Sequence, residues 1–222
     1  MLEARGNYKV ETIARSTTVR LMGARAAGSG VIVGRSRSLY SVLTNWHVVS
    51  LADAMPIALT ADGRQHRLLK VRQLGRADLA LAQFRSDLNY AVGAIAPAVE
   101  VGETVYAAGF PMYRSSSLEP TLNLGVSNFS LTQGQVTLRL PKPLDQGYGL
   151  GYSNEVVVGM SGGPIFNQRG QLVGVNGRVK DRDPGFGSYV FEDGTEPDGE
   201  LLECLTRSSL GISIDRDMFR KL

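Results

Sequence analysis

A serine stands at position 161 between glycines, in Gly159-Met160-Ser161-Gly162-Gly163-Pro164, directly after the apolar run Val156-Val157-Val158. Flanking glycines let the backbone turn where a Cβ would clash, so a hydroxyl can stand clear of the chain with main-chain N–H groups beside it. Such a turn supplies an alcohol for nucleophilic attack and backbone donors, those of Gly159 and Ser161, to receive the oxyanion of a tetrahedral intermediate. An alcohol is a poor nucleophile near neutral pH and needs a base that titrates in that range, which an imidazole does. The sequence holds two histidines, His47 and His66. His47 lies in Thr44-Asn45-Trp46-His47-Val48-Val49, at the end of an apolar strand pattern, and Asp78 lies in Arg76-Ala77-Asp78-Leu79-Ala80-Leu81, at the start of another. A carboxylate behind an imidazole fixes its tautomer and stabilises the imidazolium. The expected roles are therefore Ser161 as nucleophile, His47 as base and Asp78 as orienting acid. His66, between Gln65 and Arg67 in a hairpin strand, reads as structural, and Asp53 and Asp62 fall at helix or turn positions facing water.

Chain order separates two ways of presenting such a serine. Gly-x-Ser-x-Gly also forms the elbow of α/β-hydrolases, where the serine precedes its histidine and the turn runs into a helix. Here both histidines precede Ser161, and residues 165–175 read as two short strands around a polar turn. The order His, Asp, Ser is that of the chymotrypsin-like arrangement.

The elements that must position these groups are strands. Residues 1–16 are a polar extension in which 8–15 suit a short helix. Strands follow from 17, through 28–34 and 39–44, then a helical turn or two in 46–54, a strand at 57–60, a turn at Asp62-Gly63 returning through His66 to Leu74, and a strand at 78–84. After a connection at 86–100, a second set is expected at 104–108, 122–129, 135–140, 155–158, 164–167 and 171–176, with loops at 111–120 and 141–153. The expectation is an all-β chain of two six-stranded antiparallel barrels, 17–88 carrying His47 and Asp78, and 101–222 carrying Ser161. Toward the end, Asp198 can cap a helix whose Leu201, Leu202 and Leu205 share a face, with Cys204 expected as a small buried hydrophobe. A strand at 211–214 and a short closing helix capped by Asp215, with Met218, Phe219 and Leu222 inward, complete the chain.

Composition narrows the partners. At 222 residues with 43% hydrophobic content the chain can bury a real core, and a net charge of +3 spread along the sequence gives no basis for nucleic-acid binding. One cysteine excludes an internal disulfide and suits a reducing compartment. No signal peptide or membrane-spanning run is visible, so the expected location is cytoplasmic, without membrane association. No cofactor is called for, and metal catalysis lacks ligands.

Gly28-Ser29-Gly30-Val31, Leu43-Thr44-Asn45-Trp46-His47-Val48-Val49, Asp78-Leu79-Ala80-Leu81 and Gly159-Met160-Ser161-Gly162-Gly163-Pro164 together resemble the trypsin-like serine proteases, specifically the disulfide-free HtrA/Deg-type branch. The resemblance implies two perpendicular barrels with the site in the cleft between them, and hydrolysis of protein or peptide substrates through an acyl-enzyme. It also implies substrate contacts at Glu155, which takes the place of trypsin's pocket-floor Asp, at Val156, and along Asn176, Gly177 and Arg178, where a strand would pair with substrate backbone; a Glu155 turned to solvent and a solvated surface Arg178 are the alternatives. Glu155 would favour Lys or Arg before the cut; an apolar pocket, as in HtrA-type relatives, would suit Val156 and its neighbours equally. Two departures stand out. Met160 replaces the Asp that in trypsin pairs with a newly cut N-terminus, and no peptide-docking PDZ module is visible after residue 210. Activation would then come from ordering of loops 111–120 and 181–200, an activating partner or a fused effector domain. A binding or sensor module that keeps this fold without turnover is the alternative.

Overall fold

The structure, a computed structural model, describes residues 2–23, 27–50, 55–114, 117, 119–181, 189–216 and 218. The first sheet contains β1 (Thr18–Met22), β2 (Ala27–Ser36), β3 (Leu39–Thr44), β4 (Ile57–Leu59), β5 (Gln65–Arg67), β6 (Lys70–Gln73) and β7 (Ala80–Arg85). These seven antiparallel strands run in the order β5-β4-β1-β2-β3-β7-β6. The sheet curls on itself, with His66 of β5 lying on Phe84 of β7 at a ring-centroid distance of 4.6 Å. Its inner face is filled by Val19, Leu21, Ile32, Tyr40, Val42 and Phe84. Residues on one face of a strand recur every second position, and burying that face fixes the register on which the later geometry depends.

The second unit closes fully. Strands β8 (Thr104–Gly109), β9 (Ser130–Leu144), β10 (Tyr148–Tyr152), β11 (Pro164–Asn167), β12 (Leu172–Arg178) and β13 (Ser209–Ser213) form a barrel in the order β10-β13-β12-β11-β8-β9. The expected all-β, chymotrypsin-like build is found as a mostly-β chain, with seven strands rather than six in an open, curled first sheet and six in a closed second barrel.

Particular elements differ from expectation. Residues 122–129, expected as a strand, contain the 3₁₀ turns of Leu122–Asn128, broken at Gly125 by a positive φ of 55°. Residues 155–158 are not a strand; Val156 enters the barrel core while Val157 and Val158 face out. The missing barrel strand is β10, inside a stretch that reads as loop because of its Gly and Tyr content. It is held by pairing on both sides, with β9 and β13. Cys204 is exposed, not buried, on a helix α3 (Gly199–Thr206) that Asp198 caps as expected by accepting from the Leu201 N–H at 2.8 Å. Most of the closing helix expected at the C-terminus, like Asp53, lies outside the described residues, although Asp215 accepts from the Met218 N–H at 2.9 Å.

The N-terminal helix α1 spans Leu2–Thr17, longer than expected, and buries Val10 and Ala14 against the second barrel. It leads into β1, whose Arg20 is wholly buried. The Arg20 guanidinium donates to the carbonyls of Thr121 (2.9 Å) and Gly125 (2.7 Å) and to Thr121 Oγ1 (2.9 Å), so a charge in the first sheet holds the 3₁₀ segment of the second unit. Burial lowers the pKa of Arg20, the cost of desolvating a cation. Arg20→Ala strands these buried acceptors and leaves a cavity. Urea unfolding is expected to show a loss of about 3 kcal/mol, with new proteolysis between residues 111 and 128; unchanged stability would contradict this account of the anchor.

Candidate active site

His47 is placed by α2 (Trp46–Ser50), a single helical turn fixed by burial of Val48 and Val49 in the first sheet's core. Its main-chain N–H donates to Asp78 Oδ1 at 2.8 Å, and its Nδ1 lies 2.6 Å from Asp78 Oδ2. A neutral imidazole that gives its Nδ1–H to a carboxylate keeps the lone pair on Nε2, the arrangement a general base needs. Asn45, buried, donates to the carbonyl of Asp78 at 2.8 Å. From the second unit, Gln146 accepts the Asp78 N–H at 2.9 Å and the Tyr148 hydroxyl donates to Asp78 Oδ2 at 2.5 Å. Burial works against ionisation of Asp78, yet the bonds from His47 and Tyr148 outweigh it and hold the carboxyl below the usual carboxylate range. The imidazole is 45% exposed and thus accessible beside a sequestered acid.

The serine turn is tied to both units. The Ser29 N–H donates to the Ser161 carbonyl at 2.8 Å, Gly162 donates to the carbonyl of Asn176 at 2.9 Å, and Asn176 donates to that of Gly163 at 2.8 Å. Gly162 has a φ of +82°, and a Cβ there would run into the Ser29 carbonyl and the Thr44 hydroxyl, which packs the turn against the strand end that carries Asn45 and His47. Gly159 has a φ of +98°, and its Cβ would stand 2.5 Å from both the Phe110 carbonyl and the Met112 nitrogen. Among the described residues, neither the Gly159 N–H nor the Ser161 N–H donates to a protein acceptor. Two adjacent unspent donors flanking a nucleophile are the equipment of an oxyanion site. Ser161 Oγ donates to the Gly177 carbonyl at 3.2 Å, and no hydrogen bond joins it to His47 among the described residues.

The proposed substrate contacts are distributed. Glu155 is exposed and ion-paired with Lys180 at 2.6 Å. Val156 is buried in the barrel core. Asn176 is buried and spends its side chain on the Tyr152 hydroxyl and the Ala108 carbonyl, both at 2.9 Å. Gly177 meets Ser161 through its carbonyl, and the Arg178 guanidinium lies over the Tyr148 ring, 4.1 Å from its centroid. In the 181–200 loop, where Glu192, Asp193, Glu196 and Asp198 concentrate negative charge, Asp193 is taken up by Lys142 at 2.7 Å. A cavity of about 650 Å³ adjoins the serine loop, walled by Pro111, Phe129, Val157, Val158 and Met160 together with the polar Glu155.

Two residues of the site carried no assigned role in the sequence. Ser29 Oγ accepts from the Phe110 N–H at 2.9 Å and donates to the Gly159 carbonyl at 2.8 Å, fixing the 159–160 peptide that lies between the two open N–H groups. Its place in Gly28-Ser29-Gly30 was a signal of a kind, since the glycines allow close approach: a Cβ on Gly28 would press on Val48 and the Ser161 carbonyl. Tyr148 gave no local signal.

A curled sheet and a closed barrel, with a His–Asp pair on one and a glycine-flanked serine on the other, define a two-barrel hydrolase-like fold. The family model described as "Trypsin-like peptidase domain" matches residues 28–175, and the chain belongs to that family. Relatives include a probable periplasmic serine endoprotease DegP-like of Hahella chejuensis, 30% identical over 174 residues, which covers 76% of this chain and 33% of that one. The serine protease Do-like HtrA of Bacillus subtilis is 26% identical over 200 residues, covering 85% of this chain and 42% of its own. The chain thus spans between a third and a little over two fifths of these relatives' length. The crystal structure of the serine endoprotease from Yersinia pestis superposes with a TM-score of 0.62 at 23% identity, covering 93% of this chain and 61% of that one, which shows the shared fold.

Proposed function

We propose that the chain is a serine endopeptidase using Ser161, His47 and Asp78. The observation that carries this reading is the pairing of an Asp78-bound imidazole with the two unspent N–H donors around Ser161. Ser161 Oγ turns from the Gly177 carbonyl toward His47, attacks the peptide carbonyl carbon and passes its proton to Nε2. The oxyanion enters the donors of Gly159 and Ser161. The C–N bond then breaks as His47 protonates the leaving amine, and an ester to Ser161 remains. Water, deprotonated by the same imidazole, attacks the ester and releases the acid, returning the proton to Ser161. A binding module without turnover would have no need to keep both donors open.

The hydroxyl resting on Gly177 favours a second reading of the same site, in which a partner or an ordered loop must first turn it toward His47. Added partner would then raise the rate at fixed enzyme. The substrates are proteins or peptides, in keeping with relatives named endoproteases.

At the residue before the cut, the Glu155 charge is neutralised by Lys180, and bonding to Glu155 raises the Lys180 pKa. With the exposed Val157 and Val158 beside the serine loop, this favours aliphatic over basic side chains. Peptides carrying Val or Leu before the scissile bond are expected to outrun their Arg or Lys counterparts by about tenfold or more in kcat/KM, as differences of one or two kcal/mol allow. The opposite ranking would mean that Glu155, which lines the cavity, offers its charge to substrate despite Lys180.

A further inference from the structure

We propose that Tyr148 is a positioning residue for the acid–base pair: its hydroxyl holds the Asp78 carboxylate in place and limits the negative charge that carboxylate offers to His47. The inference rests on the triad assignment proposed above.

The phenol does not meet Asp78 by accident of surface packing. Tyr148 is buried at the head of β10, where Leu144 and the Gln146-Gly147 turn bring the chain back toward the first sheet. Both turn residues have positive φ, 66° for Gln146 and 87° for Gly147, a conformation that costs a non-glycine residue and persists where surrounding contacts demand it. The contact it secures is the Gln146 carbonyl on the Asp78 N–H. The same turn therefore delivers two bonds to one acid, one to its backbone and one to its side chain. The ring itself needs a gap in β12, and Gly177 supplies it: a Cβ there would run into the Tyr148 ring and hydroxyl. Arg178, the next residue, places its guanidinium over the ring.

Asp78 Oδ2 is the shared acceptor of the Tyr148 hydroxyl and of His47 Nδ1–H. Burial first, then the Asp78 charge, raises the Tyr148 pKa, so the phenol keeps its proton and acts as donor. Two donors on one oxygen draw on the same negative charge, and each bond is weaker for the other's presence. Among the described residues, the charged and titratable groups acting on the Tyr148 hydroxyl are Asp78 before β7, Arg178 on β12 and Tyr152 at the other end of β10. Loss of the phenol would leave the imidazolium better stabilised and slower to give its proton to the leaving amine.

Two variants read this in opposite directions. In Tyr148→Phe, the midpoint of the His47 Cε1–H resonance in a pH titration by proton NMR, identified by its absence in His47→Ala, should move upward by about half a pH unit or more. The His66 resonance should stay, and kcat should fall about tenfold with KM unchanged. Site-specific 3-fluorotyrosine at position 148 keeps the ring and makes a more acidic, stronger donor, so the His47 midpoint should move downward. Midpoints unmoved in both proteins, or moved with the same sign, overturn the inference; if Tyr148→Phe does not fold, the sign for the fluorinated protein alone decides. The titration requires no turnover, so a chain that hydrolyses nothing would count against the peptidase reading and leave this result standing.

Discussion

Replacing Ser161 by Ala is expected to lower kcat/KM by roughly 10⁶-fold, replacing His47 by Ala to cost about as much, and the double variant to lose no more than either alone. The non-additivity is the informative part. Ser161 and His47 come from different units, and in the proposed mechanism their joint task is the proton passed between Oγ and Nε2. Once either is missing, that step has gone, and removing the other changes nothing further. Asp78→Asn should cost less, roughly 10⁴-fold, because the base survives in the wrong tautomer. Full independence of the two losses, read from steady-state rates on a folded double variant, would mean that the groups do not act on the same proton.

Gly159→Ala should lower kcat by roughly 10² to 10³ with little change in KM, the size of effect expected for loss of one oxyanion donor. At a φ of +98° a side chain is strained, and the added carbon would stand 2.5 Å from the Phe110 carbonyl, so residue 159 must shift and its own N–H, on the 158–159 peptide, moves with it. Ser29 resists that shift through its bond to the Gly159 carbonyl. Gly162→Ala should act differently, since its Cβ would strike the Ser29 carbonyl at the junction of the two units; its cost should appear in unfolding rather than in kcat. An alanine at 159 that left kcat intact would remove the Gly159 N–H from the mechanism.

What could be read from the sequence was what chemistry and local pattern fix. The serine turn, the His47 strand end and the Asp78 strand start each need particular residue types within a few positions, and the structure joins His47 to Asp78 as those types demand. Most strands of the first sheet announce themselves by alternation. The errors came where long-range pairing overrides local character. Tyr148-Gly149-Leu150-Gly151-Tyr152 looks like a loop, yet it is a strand because β9 and β13 flank it, with Gly151 leaving room for Leu138. Residues 122–129 carry apolar side chains at strand-like spacing, but Gly125 breaks the run and Arg20 collects its carbonyl together with that of Thr121.

The supporting residues were hidden for the same reason. Ser29 reaches Gly159 across 130 positions, and Tyr148 reaches Asp78 across 70. Neither contact leaves a trace in local composition. Glu155 shows the converse: its position by order suggested a pocket floor, and only the structure reveals Lys180 as its partner.

The most direct measurement is labelling with a fluorophosphonate, followed by mass spectrometry of the modified peptide. One adduct on Ser161 is expected in the wild-type chain, absent from Ser161→Ala and from folded His47→Ala. An adduct that persists in Ser161→Ala, or a folded wild-type chain that takes no label across the neutral and mildly alkaline range even with candidate partners added, would contradict the assignment of Ser161 as a nucleophile activated by His47.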